Sequence, residues 1–263
     1  MSYSDAYQSP QYVPVIPKPG ARQLEYMRMF MFVFDNPNWA MNLLWGSLCI
    51  LVSSAIPIVP QMILAGYTWE LIELWHRQGH DRYPDFDTGK LGDYLGRGVW
   101  PFLVTLVLSL AMMAIMMPVI FIGMFGTMAL VAQTDQPAFL LLYIVLFLFI
   151  HVLAIGMNVV MIPMLLRAGL SQSFGEGFNF GWVMSFIKLT FKEILLGSLF
   201  LMVGNTVVIF GGMALLCIGV YPAATLVMLA WAHFLWQLYQ IFLDRGGEPI
   251  PLKTQFLTPP AGR

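Results

Sequence analysis

The stretch VWPFLVTLVLSLAMMAIMMPVIFIGMFGTMALV, residues 99–131, contains no charged side chain in 33 positions. About 20 apolar residues are enough for a helix to cross the hydrocarbon core of a bilayer, so two spans could be drawn here. Pro118, with Gly123 and Gly126, favours one helix that kinks and ends near the far surface. No Lys or Arg lies between Arg97 and Arg167. We therefore predict one span out and one back, with QTDQP, residues 133–137, outside.

The composition of the whole chain is typical of a membrane protein. Of 263 residues, 59% are apolar and 10% are Asp, Glu, Lys or Arg, and the mean hydropathy is +0.74. A soluble domain has about 25% charged residues. There is no basic stripe to meet phosphates, which excludes nucleic-acid binding. Cys49 and Cys217 lie in apolar runs without metal-ligating spacing, and we interpret both as packing residues.

Apolar segments predict six transmembrane helices. Their approximate bounds are 39–56, 59–75, 99 to beyond 118, 139–166, 194–218 and 221–243. All thirteen Lys and Arg residues then lie on one face, and none lies in the three outer turns. The bias of Lys and Arg toward the cytoplasm places both termini there. The predicted fold is all-α: six transmembrane helices in three hairpins, with interfacial helices on the cytoplasmic face of a cytoplasmic or inner membrane.

The predicted organisation is a single membrane domain, residues 21–247, between an N-terminal tail, 1–20, and a C-terminal tail, 248–263. Each even-numbered span ends in an Arg followed by a Gly, at Gly79, Gly169 and Gly246. Such glycines favour left-handed caps at helix ends. Three true internal repeats would produce this pattern. Convergence would produce it as well, because any segment that re-enters the membrane from the cytoplasm tends to carry such residues.

The loop HRQGHDRYPDFD, residues 76–87, concentrates charge in an apolar chain. We interpret it as the longest hydrophilic loop of the cytoplasmic face, with a divalent-cation site or a partner contact as alternatives. We expect Pro84 to Asp87 to form a fixed cap, with Tyr83 and Phe86 at the headgroups and the carboxylates turned to water or to Arg82, Lys90 or Arg97. The candidate contact residues of this loop are His76, His80, Tyr83, Asp85, Phe86 and Asp87.

A second set of candidates consists of polar residues inside the predicted spans. They are His151, Asn158, Asn205, His233 and Gln237. Intramembrane polar groups are costly and therefore indicate function by default. Hydrogen bonds between helices, each contributing about 1 kcal/mol or less, would explain them. A polar pathway or ligand pocket would explain them as well.

No motif of a hydrolase, metalloprotease, nucleotide-binding or dinucleotide-binding site is present. The sequence therefore predicts neither an enzyme nor a cofactor. The favoured function is a membrane scaffold or accessory component that contacts lipids and a membrane or cytoplasmic protein through its cytoplasmic loops. The alternative is a small permease or channel, and a lipid-modifying enzyme is a third reading.

The stretch AGYTWELIELWHRQGHDRYPDFDTGKLGDYLGRGVWPFLV, residues 65–104, resembles the core signature of a bacterial and archaeal family of multi-span membrane proteins. That family is known only as a domain of unknown function. Its motifs are matched by Asn36, Pro37 and Trp39 before the first span, by Gly66 and Tyr67 in the second, by Gly79, Pro84 and residues 85–87 in the loop, and by HFLWQLYQ, residues 233–240, in the last span. The resemblance implies a membrane protein and supplies no activity.

Overall fold

The computed structural model describes residues 22–131, 136–215 and 218–253, and these contain helices and loops but no strand. The helices are α1 (Arg28–Met31), α2 (Trp39–Ser53), α3 (Val59–Gln78), α4 (Leu91–Val131), α5 (Gln136–Ser171), α6 (Phe180–Ala214) and α7 (Val220–Asp244). Short 3-10 turns at Phe32–Asp35, Thr88–Lys90 and Gly175–Phe178 precede α2, α4 and α6. The all-α prediction is confirmed.

Four of the described helices are long and apolar enough to cross a membrane: Thr88–Gly126, Tyr143–Ser171, Phe180–Ala214 and Val220–Asp244. The apolar helix α2 has 15 residues and is shorter. The charge-free stretch 99–131 lies in one continuous helix, α4, which includes Pro118. The predicted outer turn, residues 133–137, falls mostly outside the described residues.

Residues 171–193, just before the fifth predicted span, are predicted to contain an interfacial helix, but the structure joins most of this segment to that span. Residues 180–193 are the first turns of α6, and only the turn Gly175–Phe178 is separate. No proline interrupts this segment, and Lys188 and Lys192 lie four residues apart on an exposed face. A helix can therefore carry both lysines without breaking.

Helix α7 is the centre of the bundle, and most of its residues from Leu229 to Phe242 are buried. It packs against α2, α3 and α6. Most long apolar side chains on the outer parts of the other helices are exposed, as lipid-facing side chains are; Ile122, Val152 and Val203 are examples. The polar residues of α7 consequently face protein.

Glycine caps end two of the three predicted hairpins. Gly79 after α3 and Gly246 after α7 have φ of +71° and +81°. The prediction for Gly169 is wrong, because α5 continues to Ser171 and the left-handed residue is Gln172. A Cβ on Gly169 would lie 2.3 Å from the Trp69 ring, so this glycine lets α5 pack against that ring.

The first residues of the predicted C-terminal tail pack against the bundle. Trp182 Nε1 donates to the Glu248 carbonyl at 2.8 Å, and the Ile250 amide donates to the Tyr239 hydroxyl at 2.8 Å. Ile250 is buried. The rest of that tail, 254–263, and the predicted N-terminal tail lie outside the described residues.

Candidate functional site

The loop between α3 and α4 is held in place by asparagines that precede and begin α2. The Asp85 carboxylate accepts hydrogen bonds from the side-chain amides of Asn36 at 3.1 Å, Asn38 at 2.6 Å and Asn42 at 3.2 Å. The bond from Asn38, followed by those from Asn42 and Asn36, holds the pKa of Asp85 below its usual value despite some desolvation. Three neutral donors thus hold one carboxylate at the exposed surface.

Side chains from several elements also satisfy the backbone of this loop; we call residues 82–87 the loop cap. Three of its backbone carbonyls accept hydrogen bonds from side chains. The Arg82 carbonyl accepts from Trp75 Nε1 at 3.1 Å and the Tyr83 carbonyl accepts from the Asn36 side-chain amide at 3.0 Å. The Pro84 carbonyl accepts from the Tyr67 hydroxyl at 3.1 Å. Its amides donate to side-chain oxygens: Phe86 to Asn42 at 2.8 Å and Asp87 to the Tyr94 hydroxyl at 3.3 Å. A loop bonded on so many sides has one defined shape.

The two aromatic residues of the loop cap are buried rather than spread at its surface. The Tyr83 hydroxyl donates to the Val33 carbonyl at 2.7 Å, and burial raises the pKa of Tyr83 to about 12. Phe86 packs against Tyr67 and Tyr94 at centroid distances of 5.1 and 5.3 Å. The Asp85 carboxylate accepts from asparagines, and the Asp87 carboxylate accepts from the Gly89 amide. Neither carboxylate bonds to Arg82, Lys90 or Arg97 within the described residues.

Hydrogen exchange at the Phe86 amide is expected to be slow, since this buried group donates to Asn42 Oδ1. Asn42→Ala removes that acceptor and one bond to Asp85, so exchange at Phe86 and Asp87 is expected to accelerate. Ser53→Ala, which removes a polar side-chain group at the far end of α2, is the control. Equal exchange in both variants would mean that Asn42 does not hold the loop cap. Exchange-coupled mass spectrometry with peptides covering 82–90 measures this.

A second polar cluster joins the N-terminal segment, the loop and α7. The Arg28 guanidinium binds Asp81 through Nε at 2.5 Å and Nη2 at 2.9 Å, and its Nη1 lies 2.5 Å from Asp35. His233 Nε2 lies 3.2 Å from Asp81 Oδ2. Burial alone would raise the pKa of Asp81, but the bonds from His233 and Arg28 and the Arg28 charge lower it well below its usual value. Asp81 is therefore an ionised link between three segments.

The neighbours of His233 fix its tautomer. The Gln237 side chain accepts from the Glu25 amide at 2.8 Å and donates to the Glu25 carbonyl at 3.2 Å, which sets its orientation. Its Nε2 must then donate to His233 Nδ1 at 2.9 Å, so the proton of a neutral His233 lies on Nε2, toward Asp81. With both nitrogens engaged and the ring stacked on Phe32 at 4.5 Å, His233 is a connecting residue rather than a general base.

The two histidines of the stretch 76–87, His76 and His80, form hydrogen bonds close to this second cluster. Gln240 donates to His76 Nδ1 at 3.0 Å and accepts from Arg22 at 3.0 Å. His80 Nδ1 accepts from the Arg82 amide at 3.3 Å. In the part of the chain that the structure describes, no three His, Cys, Asp or Glu residues form a group that could hold a metal ion.

The candidate residues of the predicted spans differ in their burial and in their hydrogen bonds. His151 bonds to the Phe147 carbonyl of its own helix at 2.8 Å. Asn158 is half-buried in α5, and Asn205 Oδ1 in α6 is buried without a donor among the described residues. His233 and Gln237 bond to each other at 2.9 Å, and their other polar partners come from the loop and from Glu25. The four-residue spacing of His233 and Gln237 is the sequence signal for that pair.

A buried charge network lies next to the loop cap. Arg97 is 4% exposed and bonds to Glu73, which also lies 2.7 Å from Arg77 Nη2. Arg97 and Lys90 each lie 3.8 Å from Glu70. These ion pairs tie α4 to α3 next to the loop.

A cavity of about 410 Å³ opens beside the second cluster. Its lining residues come from three segments, 22–28, 79–81 and 233–241, and include Arg22, Glu25, His80 and Trp236. It lies at the same end of the bundle as the loop cap.

A bundle of long apolar helices, with its charged residues gathered around one fixed loop, defines a helical membrane-type protein. This chain belongs to the family described as Protein of unknown function (DUF4013), whose model matches residues 49–234. That range contains Gly66, Tyr67 and the loop cap, whereas Asn36, Asn38 and Asn42 precede it. No curated protein and no solved structure matches the chain.

Proposed function

We propose that this protein is a six-span component of the cytoplasmic or inner membrane that holds a protein partner at its loop cap and performs no chemistry of its own. In this arrangement α2 and α3 are the first hairpin, and both termini lie in the cytoplasm with the loop cap. Lys188 and Lys192 fit this arrangement, because the first turns of the 35-residue α6 extend below the hydrocarbon.

The observation that carries the proposal is the fixed shape of an exposed polar loop. The side chains of Arg82, Pro84, Asp85 and Asp87 are exposed, while the backbone beneath them is bonded to α2, α3 and α4. A surface whose shape is already set loses little conformational entropy when it binds, which favours a partner contact.

The contacts of the intramembrane polar residues do not favour a permease. His151 bonds within its own helix, and His233 is packed between aromatic rings. These contacts support a packing role more than a continuous polar pathway.

We expect vesicles that contain the purified protein to pass protons, potassium and glycerol no faster than empty vesicles. In cells, a photo-crosslinking residue at Arg82 is expected to yield a discrete adduct that is absent with the same residue at Lys188. Asp85→Ala, which loosens the loop cap, should weaken that adduct. Solute flux above the empty-vesicle rate that His233→Leu abolishes would instead establish a permease. Adducts of equal yield at Arg82 and at Lys188 would show that the loop cap is not the contact site for the partner.

A further inference from the structure

The cavity beside α7 contains polar groups that the fold itself does not use. Asp81, His233 and Gln237 satisfy one another, as described above. Four other wall residues, Arg22, Glu25, His80 and Trp236, retain hydrogen-bonding or charged groups. A volume of about 410 Å³ lies in the range of small-molecule sites, about 300–1,000 Å³.

Three of these residues offer hydrogen-bond donors. Trp236 Nε1 is buried and has no acceptor among the described residues. His80 accepts from the Arg82 amide at Nδ1, so the proton of a neutral ring lies on Nε2. Arg22 has five N–H groups; one amino group donates to Gln240, and its Nε lies 3.6 Å from Asp244. A buried donor without an acceptor destabilises the protein, and an acceptor on a ligand would remove that cost.

The fourth residue, Glu25, offers a carboxylate. Its backbone amide and carbonyl both bond to Gln237, so the residue is fixed at the cavity wall. No ion pair of this carboxylate occurs within the described residues. A carboxylate suits a primary ammonium group, whereas a quaternary ammonium group favours a cage of several aromatic rings. The cavity wall has one large aromatic residue, Trp236.

We propose that this cavity binds a phosphate that carries a primary amine, the chemistry of phosphoethanolamine. The donors of Arg22, His80 and Trp236 bind the phosphate oxygens, and Glu25 binds the ammonium group. The formal charges of Arg22 and Arg28 balance those of Glu25 and Asp81, as suits the zwitterionic phosphodiester headgroup of phosphatidylethanolamine. The cavity lies within the last three turns of α7, at headgroup depth in the six-span arrangement, so the group can come from a lipid or from solution.

The test uses the purified full chain in detergent, with native mass spectrometry for lipids and calorimetry for soluble phosphoethanolamine. We expect phosphatidylethanolamine to bind more tightly than phosphatidylglycerol, which lacks the amine, and phosphatidylcholine, whose amine is quaternary. Glu25→Gln and Trp236→Phe should each weaken binding by about tenfold. Lys188→Gln, which removes an exposed charge outside the cavity, should leave binding unchanged. Binding of the soluble compound at equal affinity identifies a free ligand, and binding of the lipid alone identifies a headgroup.

Three results would overturn the proposal: absence of binding by both phosphatidylethanolamine and soluble phosphoethanolamine, equal binding of phosphatidylglycerol, or no effect of Glu25→Gln. The Glu25 side chain is exposed, so that variant is expected to fold even if Trp236→Phe does not, given that Trp236 packs against Trp75 and His233. The site depends on the cavity and not on a protein partner, so the crosslinking experiment can fail while lipid binding succeeds.

Discussion

Gly66→Ala is expected to lower the free energy of unfolding by at least about 3 kcal/mol, at the upper end of the cost of overpacking. A Cβ at this position would lie 1.8 Å from the backbone carbonyl oxygen of Tyr94. The contact is reciprocal, since a Cβ on Gly98 would lie 1.9 Å from the Met62 carbonyl oxygen. Neither helix can relieve the clash by rotating a side chain, so α3 and α4 must separate. Their separation would also move the Tyr94 hydroxyl away from the loop cap.

Gly96→Ala is the matched control, because the added Cβ has no atom within 4 Å. Alanine is favoured over glycine in a helix by up to about 1 kcal/mol, so this variant is expected to equal or exceed the unmodified protein in stability. Thermal unfolding of both variants in one detergent makes the comparison. If Gly66→Ala unfolded at the same temperature as Gly96→Ala, the two helices would not be in backbone contact.

The features that local sequence determines were predicted correctly. A long apolar run without charged residues can be recognised from consecutive residues alone, and the stretch 99–131 does lie in one helix. The left-handed glycines at 79 and 246 also follow from local sequence, since Gly79 comes directly after α3 and Gly246 follows α7 after one intervening residue. Gly169 has the same preceding arginine but a different role, because its neighbour is Trp69 from another helix.

The partners of the polar residues could not be predicted in the same way. His233 and Asp81 are 152 positions apart, and Asp85 is 43 to 49 positions from its three asparagines. Only packing brings the loop to α7.

The signature that suggested the family has a single structural explanation. Gly66 lets α4 approach α3, and Tyr67, the next residue, donates to the Pro84 carbonyl of the loop cap. Asn36 binds the Tyr83 carbonyl and Asp85 from the other side. Residues that are far apart in the sequence therefore fix one loop, which explains why an apolar chain keeps so many polar residues there.

Arg97→Met is expected to lower the free energy of unfolding by about 3 kcal/mol, at the low end of the cost of breaking a buried ion pair. The substitution leaves the Glu73 carboxylate, which is 7% exposed, without its buried partner. Arg77 remains 2.7 Å from Glu73 and limits the loss. Arg245→Met is the control: its side chain is 31% exposed in the pair with Glu193, so its loss should cost about 1 kcal/mol or less. Equal losses from the two variants would contradict the burial of Arg97.

Removing both charges separates the cost of an unpaired carboxylate from the value of the pair itself. Replacing a buried ion pair with apolar side chains of similar volume is often neutral or stabilising. Arg97→Met combined with Glu73→Met is therefore expected to be more stable than Arg97→Met alone, because Arg77 is partly exposed and can turn to water. Chemical unfolding of the three proteins in one detergent measures this. A double variant less stable than Arg97→Met would contradict this, because it would show that Glu73 stabilises the fold through Arg77 even after Arg97 is removed.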